Sequence, residues 1–225
     1  MGSGRFLLGF ILISILAGTL FAMNGATPVI SGTQARWSGS PAGAITSEGG
    51  NISAINVNAI TLTDRWTAFY GNVTGNIVLG NSSANGNMFN WTYTTAASGK
   101  ICISTNDSMG FLSPTAAVAS AIDAAFGLGS TNDNAAGTFN GTCPQLNLST
   151  GSIASPIMIT HKGASSFKTC AITADGATAK NNTAFCTLIN SSGTSYSNLS
   201  ANYEVMAPTT PGTGAETYYF YAELG

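Results

Sequence analysis

SFKTCAITADGATAKNNTAFCTLIN, residues 166–190, reads as two strands, SFKTCAITA (166–174) and TAFCTLIN (183–190). The polar turn between them contains Asp175-Gly176 and Asn181-Asn182, residue types that accept the backbone angles of a reversal. On either side the chain repeats this plan. RWTAFYG (65–71), NIVLG (76–80), MFNWTYTT (88–95), KICIST (100–105), SPIMITH (155–161), NYEVMA (202–207) and TYYFYAEL (217–224) are further strand candidates, most of them separated by turn residues. Short strands at regular spacing with Gly and Asn turns indicate an antiparallel sandwich or barrel. The predicted class is all-β, an antiparallel β-sandwich of Greek-key or jelly-roll type occupying residues 44–225.

One stretch departs from the strand pattern. SPTAAVASAIDAAFGLG offers Ser113 as N-cap and Pro114 at the first helical position, spaces Val118, Ile122 and Phe126 four apart, and ends on Gly127 or Gly129. Those signals predict one amphipathic helix near 114–127, packed over a sheet. Residues 24–43, rich in Gly, Pro and Ser, read as an extended arm. From Asn51 the pattern turns strand-like, with Ile55, Val57 and Ala59 on one face and Ile60 and Leu62 on the other, so a bend is expected near Ala59.

The chain opens MGSGRFLLGFILISILAGTLFAM, a single positive charge at Arg5 followed by an uncharged apolar run. This is the layout of a secretory signal. As a helix the run reaches roughly 27 Å, slightly short of a ~30 Å hydrocarbon core. Cleavage near Ala22 is expected, with a retained N-terminal membrane anchor in residues 1–23 as the alternative.

Four cysteines, Cys102, Cys143, Cys170 and Cys186, read in an exported chain as two disulfides with three connectivities open. Local spacing favours Cys170 with Cys186, leaving Cys102 with Cys143. No CxxC occurs, so a thioredoxin-like site and a c-type haem are excluded, and no closely spaced ligand pair could hold zinc.

Only 7% of the residues are charged and the net charge is −2, against about 25% charged in an average domain. A basic footprint for nucleic acid is absent. A surface so poor in charge needs another source of hydration, and Asn-x-Ser/Thr triplets supply one. They begin at Asn51, Asn72, Asn81, Asn90, Asn106, Asn140, Asn147, Asn181, Asn190 and Asn198, ten in all, where composition alone predicts about five. In a strand the first and third residues of a triplet share a face. Asn51-Ile-Ser, Asn72-Val-Thr, Asn90-Trp-Thr, Asn147-Leu-Ser and Asn198-Leu-Ser would thus turn Asn outward and the apolar residue inward. In FNWTYTT the expectation is Phe89, Trp91 and Tyr93 toward the core and Asn90, Thr92 and Thr94 toward water.

Candidate chemistry is sparse. His161 is the sole histidine, without carboxylate partners nearby in sequence, and reads as structural. Nine acidic residues are scattered, and nothing supports the paired carboxylates of a glycosidase. STNDNAAGTFNG around Asp133 faintly follows a calcium loop but lacks the sixth-position glycine and terminal glutamate, so it reads as a polar turn. Asp64-Arg65-Trp66 reads as a strand-end ion pair beside a core tryptophan. Tyr218, Tyr219, Phe220 and Tyr221 leave neither face of their strand polar, which implies a strand buried on both sides or one covered by a partner.

GGNISAINVNAITLTDRWTAFYGNVTGNIVLG (Gly49–Gly80) and the terminal YYFYAELG resemble uncharacterised exported archaeal surface proteins. A signal segment, an arm, one β domain and dense sequons are similar in plan to archaeal thread and bundling-pilus subunits. That resemblance implies assembly by donor-strand complementation, in which one subunit's terminal strand completes its neighbour's sheet. The arm's apolar residues, Val29, Ile30, Ala35 and Trp37, depart from strict alternation.

The sequence therefore predicts a secreted, N-glycosylated structural subunit of an archaeal surface filament or coat. No cofactor, metal or catalysis is expected, and its partners are other copies of itself and covalent glycans. An adhesin-like binding module for carbohydrate or cell-surface components is the alternative, with Trp37, Trp66 or Tyr219 as groove aromatics.

Overall fold

A computed structural model describes residues 23–32, 36, 43–80, 86–96, 98–212 and 215–225. Residues 1–22, where the export signal is expected, and Ala35, Trp37 and Asn81 lie outside the described residues.

In chain order the elements are β1 (Asn24–Ala26), β2 (Trp66–Gly71), β3 (Gly75–Gly80), β4 (Asn87–Tyr93), β5 (Gly99–Ser104) and β6 (Thr115–Ala116). Two helices follow, α1 (Ala119–Phe126) and α2 (Ala135–Thr138), then β7 (Gly141–Thr142), β8 (Leu146–Leu148), β9 (Gly151–Ile153) and β10 (Ile157–Thr160). The last four strands are β11 (Lys168–Thr173), β12 (Thr183–Leu188), β13 (Tyr203–Pro208) and β14 (Tyr219–Leu224). The class is all-β, with every paired strand antiparallel.

An eight-stranded sheet runs β1-β14-β5-β12-β11-β10-β7, with β6 beside the far end of β11. Its centre joins elements distant in sequence, since β5 sits between β12 and β14. Alternation sends successive side chains to opposite faces, and both faces are covered. On one, Ile103, Ala171 and Phe185 pack beneath Val205 and Ala207 of the two-stranded β13–β2 sheet and beneath Ile122 and Phe126 of α1. On the other, Cys102, Cys186, Ile172 and Tyr221 pack beneath Leu146, Leu148 and Ile153 of the β8–β9 pair and beneath Met109 and Phe111. Met23 joins this second layer, which holds β1 against the body.

Double coverage explains TYYFYAEL. β14 is paired on one edge by β5 and, over Phe220–Ala222, on the other by β1. Tyr221 is buried, donating through its hydroxyl to the Asn106 carbonyl at 2.5 Å and accepting from the Met109 N–H at 3.1 Å, while Tyr219 is exposed.

Three expectations are corrected. The helix begins at Ala119 rather than beside Pro114, because Thr115–Ala116 pairs with Ile172–Thr173 instead and the Thr115 and Thr173 hydroxyls meet at 2.8 Å. Its end is as expected, with Gly127 closing it in the left-handed conformation at φ 65°. No strand occurs among the described residues between Ala26 and Trp66, so the strand expected from Asn51 is absent.

The disulfides are Cys102–Cys186 and Cys143–Cys170, not the pairing the spacing favoured. Register places Cys170 directly opposite Cys186, as a hairpin should, but Cys102 is opposite Cys186 on the other flank. The Cys102 and Cys186 Cα atoms are 4.0 Å apart, the close approach of a non-hydrogen-bonded pair. Alternation then makes Cys170–Cys186 the wider, hydrogen-bonded kind. Cys186 bonds to the nearer neighbour, and Cys143, delivered by the loop after β7, takes Cys170. Two such disulfides belong to an oxidising compartment.

Candidate functional site: glycan acceptors and an uncharged exposed surface

Of the ten sequon asparagines, Asn51, Asn72, Asn90, Asn140, Asn147, Asn181, Asn190 and Asn198 are exposed. Asn106 is half-buried, and its amide nitrogen donates to the Asn181 carbonyl at 2.9 Å. The inward middle residue holds where the triplet borders the core: Val73 and Leu148 are buried. It fails elsewhere. Ile52 is fully exposed at 101%, Leu199 is exposed, and Trp91 (49%) and Phe89 (56%) face solvent rather than a core.

Those failures lie mostly in two places. From residue 43 to 62 every residue is exposed and no regular element forms, although Ile45, Ile52, Ile55, Val57, Ile60 and Leu62 are strongly apolar. Val29 and Ile30 of the arm are exposed as well. The second place is the β3–β4 hairpin, a separate two-stranded sheet. Register sets Gly75 opposite Tyr93, Ile77 opposite Trp91 and Leu79 opposite Phe89. Directly opposed residues project to the same side, so one side of the hairpin is apolar. Asn76, Val78, Asn90 and Thr92 occupy the other.

The start of β2 anchors the exposed segment to the body. Thr63 donates to Asp133 (Oγ1 to Oδ2, 2.7 Å), Arg65 Nε donates to the Leu128 carbonyl at 3.0 Å, and Trp66 Nε1 donates to the Asp133 carbonyl at 2.5 Å. Trp66 also meets Phe139 edge-on, with ring centroids 6.2 Å apart, and packs partly buried against the core. The Thr131 and Thr63 hydroxyls and the Arg65 charge hold the Asp133 carboxyl below its usual range. Asp133 thus serves an anchor, and Asn134 and Asp123 cap α2 through Gly137 N–H (2.6 Å) and Ala135 N–H (2.5 Å). The calcium-like spacing is a capped turn.

His161 has the partners its neighbourhood in sequence did not reveal. Nδ1 lies 2.7 Å from Glu204 Oε1 and Nε2 lies 2.8 Å from Thr169 Oγ1, all three residues buried. Glu204 also accepts from the Tyr196 N–H at 2.7 Å, and Thr169 Oγ1 from the Met206 N–H at 2.9 Å. With that N–H donating to it, the Thr169 hydroxyl is free to give its own proton to Nε2, which leaves Nδ1 protonated toward Glu204. Burial pushes the imidazole below its ordinary pKa despite the carboxylate beside it. The order carboxylate, imidazole, hydroxyl is that of a hydrolase triad, but here it is walled in and pins β13 to the main sheet. The signal for it, an acidic residue inside a strand at Glu204, was present in the sequence.

Lys100 and Glu223 pair at 2.5 Å across β5 and β14. Burial pushes the Glu223 carboxyl up, but Lys100 and the Ser149 N–H outweigh it and hold the group below its usual range. Among the described residues no group of three potential metal ligands occurs, and no helix is long and apolar enough to cross a membrane. No protein-family model, curated protein or solved structure matches the chain.

Proposed function

We propose that this chain is an exported, N-glycosylated structural subunit of an archaeal cell-surface filament or coat, whose copies join by β-strand addition. The observation that carries the reading is the stretch 43–62. It is rich in β-prone Ile, Val and Thr, free of charge from Gly49 to Thr63, and exposed along its whole length. Apolar strand-forming residues in water are a pairing hazard that monomeric proteins suppress with Lys, Pro or burial. None of those devices is used between Gly49 and Thr63, as a subunit built to pair with a neighbour requires. Two disulfides and eight exposed sequon asparagines fit an exported, sugar-bearing surface.

The arm residues 24–26 are less suited to the donor role, because they already complete the main sheet beside β14. The test is polymer formation by the purified mature protein against concentration, with a variant lacking residues 43–62. The intact chain should polymerise and the deletion remain monomeric with an unchanged melting temperature. An intact chain that stays monomeric at high concentration overturns the proposal, and glycopeptide mass spectrometry of native material checks the sugars.

A further inference from the structure

We infer that the 51–62 segment lands on the β3–β4 hairpin of a second copy, extending that two-stranded sheet and covering its apolar side. The inference rests on the strand-addition reading and names its donor and acceptor.

The acceptor follows from where free edges and bare apolar surface coincide. β14 has β5 on one edge and β1 on the other, while β1 and β7 offer only three and two residues. On β13 the edge away from β2 is capped: Met206 N–H donates to Thr169, Pro208 has no N–H, and the Pro208 carbonyl accepts from the Tyr218 hydroxyl. The outer edge of β2 is open, but its large apolar residues are already satisfied, Phe69 against Phe220 at 5.3 Å and Trp66 against Phe139 at 6.2 Å. Among the described strands the hairpin alone has two open edges and a largely unburied apolar side, formed by the exposed Leu79, Phe89 and Trp91 with the half-buried Ile77. A lone two-stranded hairpin is marginal in water, and a third strand is what stabilises one.

Charge and length fit the same donor. No charged residue occurs from Trp66 to Ser98 or from Gly49 to Thr63, so nothing repels the two surfaces and no lysine guards either edge. Twelve residues in extended form span about 40 Å, enough to cover strands of about 20 Å. The sequon at Asn90 points from the opposite side, so a glycan there leaves the apolar side bare.

A second copy, rather than the same one, is the occupant. Within one copy residues 51–62 are exposed throughout and pair with no strand, and Thr63 and Arg65 fix the segment at the end of β2 away from the hairpin. Each copy therefore carries a donor and an acceptor at different places. Such a heterologous contact propagates into a chain of subunits unless its rotation closes a ring.

The experiment places benzoylphenylalanine at Trp91 in the full chain, mixes equal amounts of unlabelled and nitrogen-15-labelled protein, and irradiates after assembly. Mixed-isotope crosslinks between position 91 and residues 51–62 are expected. Polymers whose crosslinks from position 91 join same-isotope peptides, or reach another segment, overturn the hairpin as acceptor and leave strand addition standing. Absence of polymers overturns both. As an independent readout, Trp91→Ser and, on the donor side, Val57→Ser should each raise the concentration for half-assembly by roughly tenfold or more with unchanged monomer melting. An unchanged assembly concentration in both would also overturn the inference.

Discussion

β12 and β4 are strands of similar length and comparable apolar content, TAFCTL and NMFNWTY, yet five of the six residues of β12 are buried and six of the seven of β4 are exposed. β12 has β5 and β11 on its edges and a packed layer on each face. β4 has one neighbour, β3, and no layer on its apolar side. Strand-forming sequence thus does not by itself produce burial; partners on the edges and faces do. Where the chain supplies those partners itself the strand is closed off from water, and where it withholds them the apolar side stays exposed.

The contrast can be broken hardest at its rigid end. Removing the Cys102–Cys186 bridge by substituting both residues with Ala reopens a loop of 84 residues, and should cost about 4.5 kcal/mol by the loop-entropy model, read from denaturant melts. Phe185→Ala, at 0% exposure between the layers, should cost about 3–5 kcal/mol. His161→Ala leaves the Glu204 carboxylate buried with only the Tyr196 N–H, and a loss of about 3 kcal/mol is expected.

Acid sharpens the same comparison more gently. Because the folded imidazole of His161 is held below 6.5, the unfolded chain takes up a proton the folded one refuses. Stability should be complete above about pH 7 and fall as pH drops below 6.5, by at most about 1.4 kcal/mol per pH unit, levelling once the folded group titrates. Melts at pH 7.5, 6 and 5 check this, and the slope from this group should vanish in His161→Ala. At the far end, Ile52→Ser and Ile60→Ser should change monomer stability by less than about 0.5 kcal/mol, while weakening assembly.

Most strands were legible because alternation and turn residues are local signals, and RWTAFYG, KICIST, NYEVMA and TYYFYAEL lie where they were read. What alternation cannot state is whether anything stands on the apolar side. FNWTYTT alternates well and forms a strand, but Phe89 and Trp91 face water because no layer is laid over them. The disulfide pairing was hidden for a related reason: the sheet order, with β5 between β12 and β14, sets a cysteine opposite Cys186 on each flank, and only the alternation of close and wide pairs decides which is nearer. At Ser113-Pro114 a valid helix-start signal lost to a two-residue pairing with β11, a tertiary contact that local propensity does not encode. The Glu204–His161–Thr169 array joins positions 43 and 8 residues apart, so no motif spacing announced it.

The insertion of β14 between β1 and β5 sets a schedule for synthesis. Residues 24–26 and 99–104 emerge early, but the strand that joins them is made of residues 219–224. Synthesis in chain order therefore supplies β14 after both of its neighbours, and until it arrives the edges of β1 and β5 that it joins stay unpaired. A chain lacking residues 219–224 would leave the facing edges of β1 and β5 open to pairing with other strands.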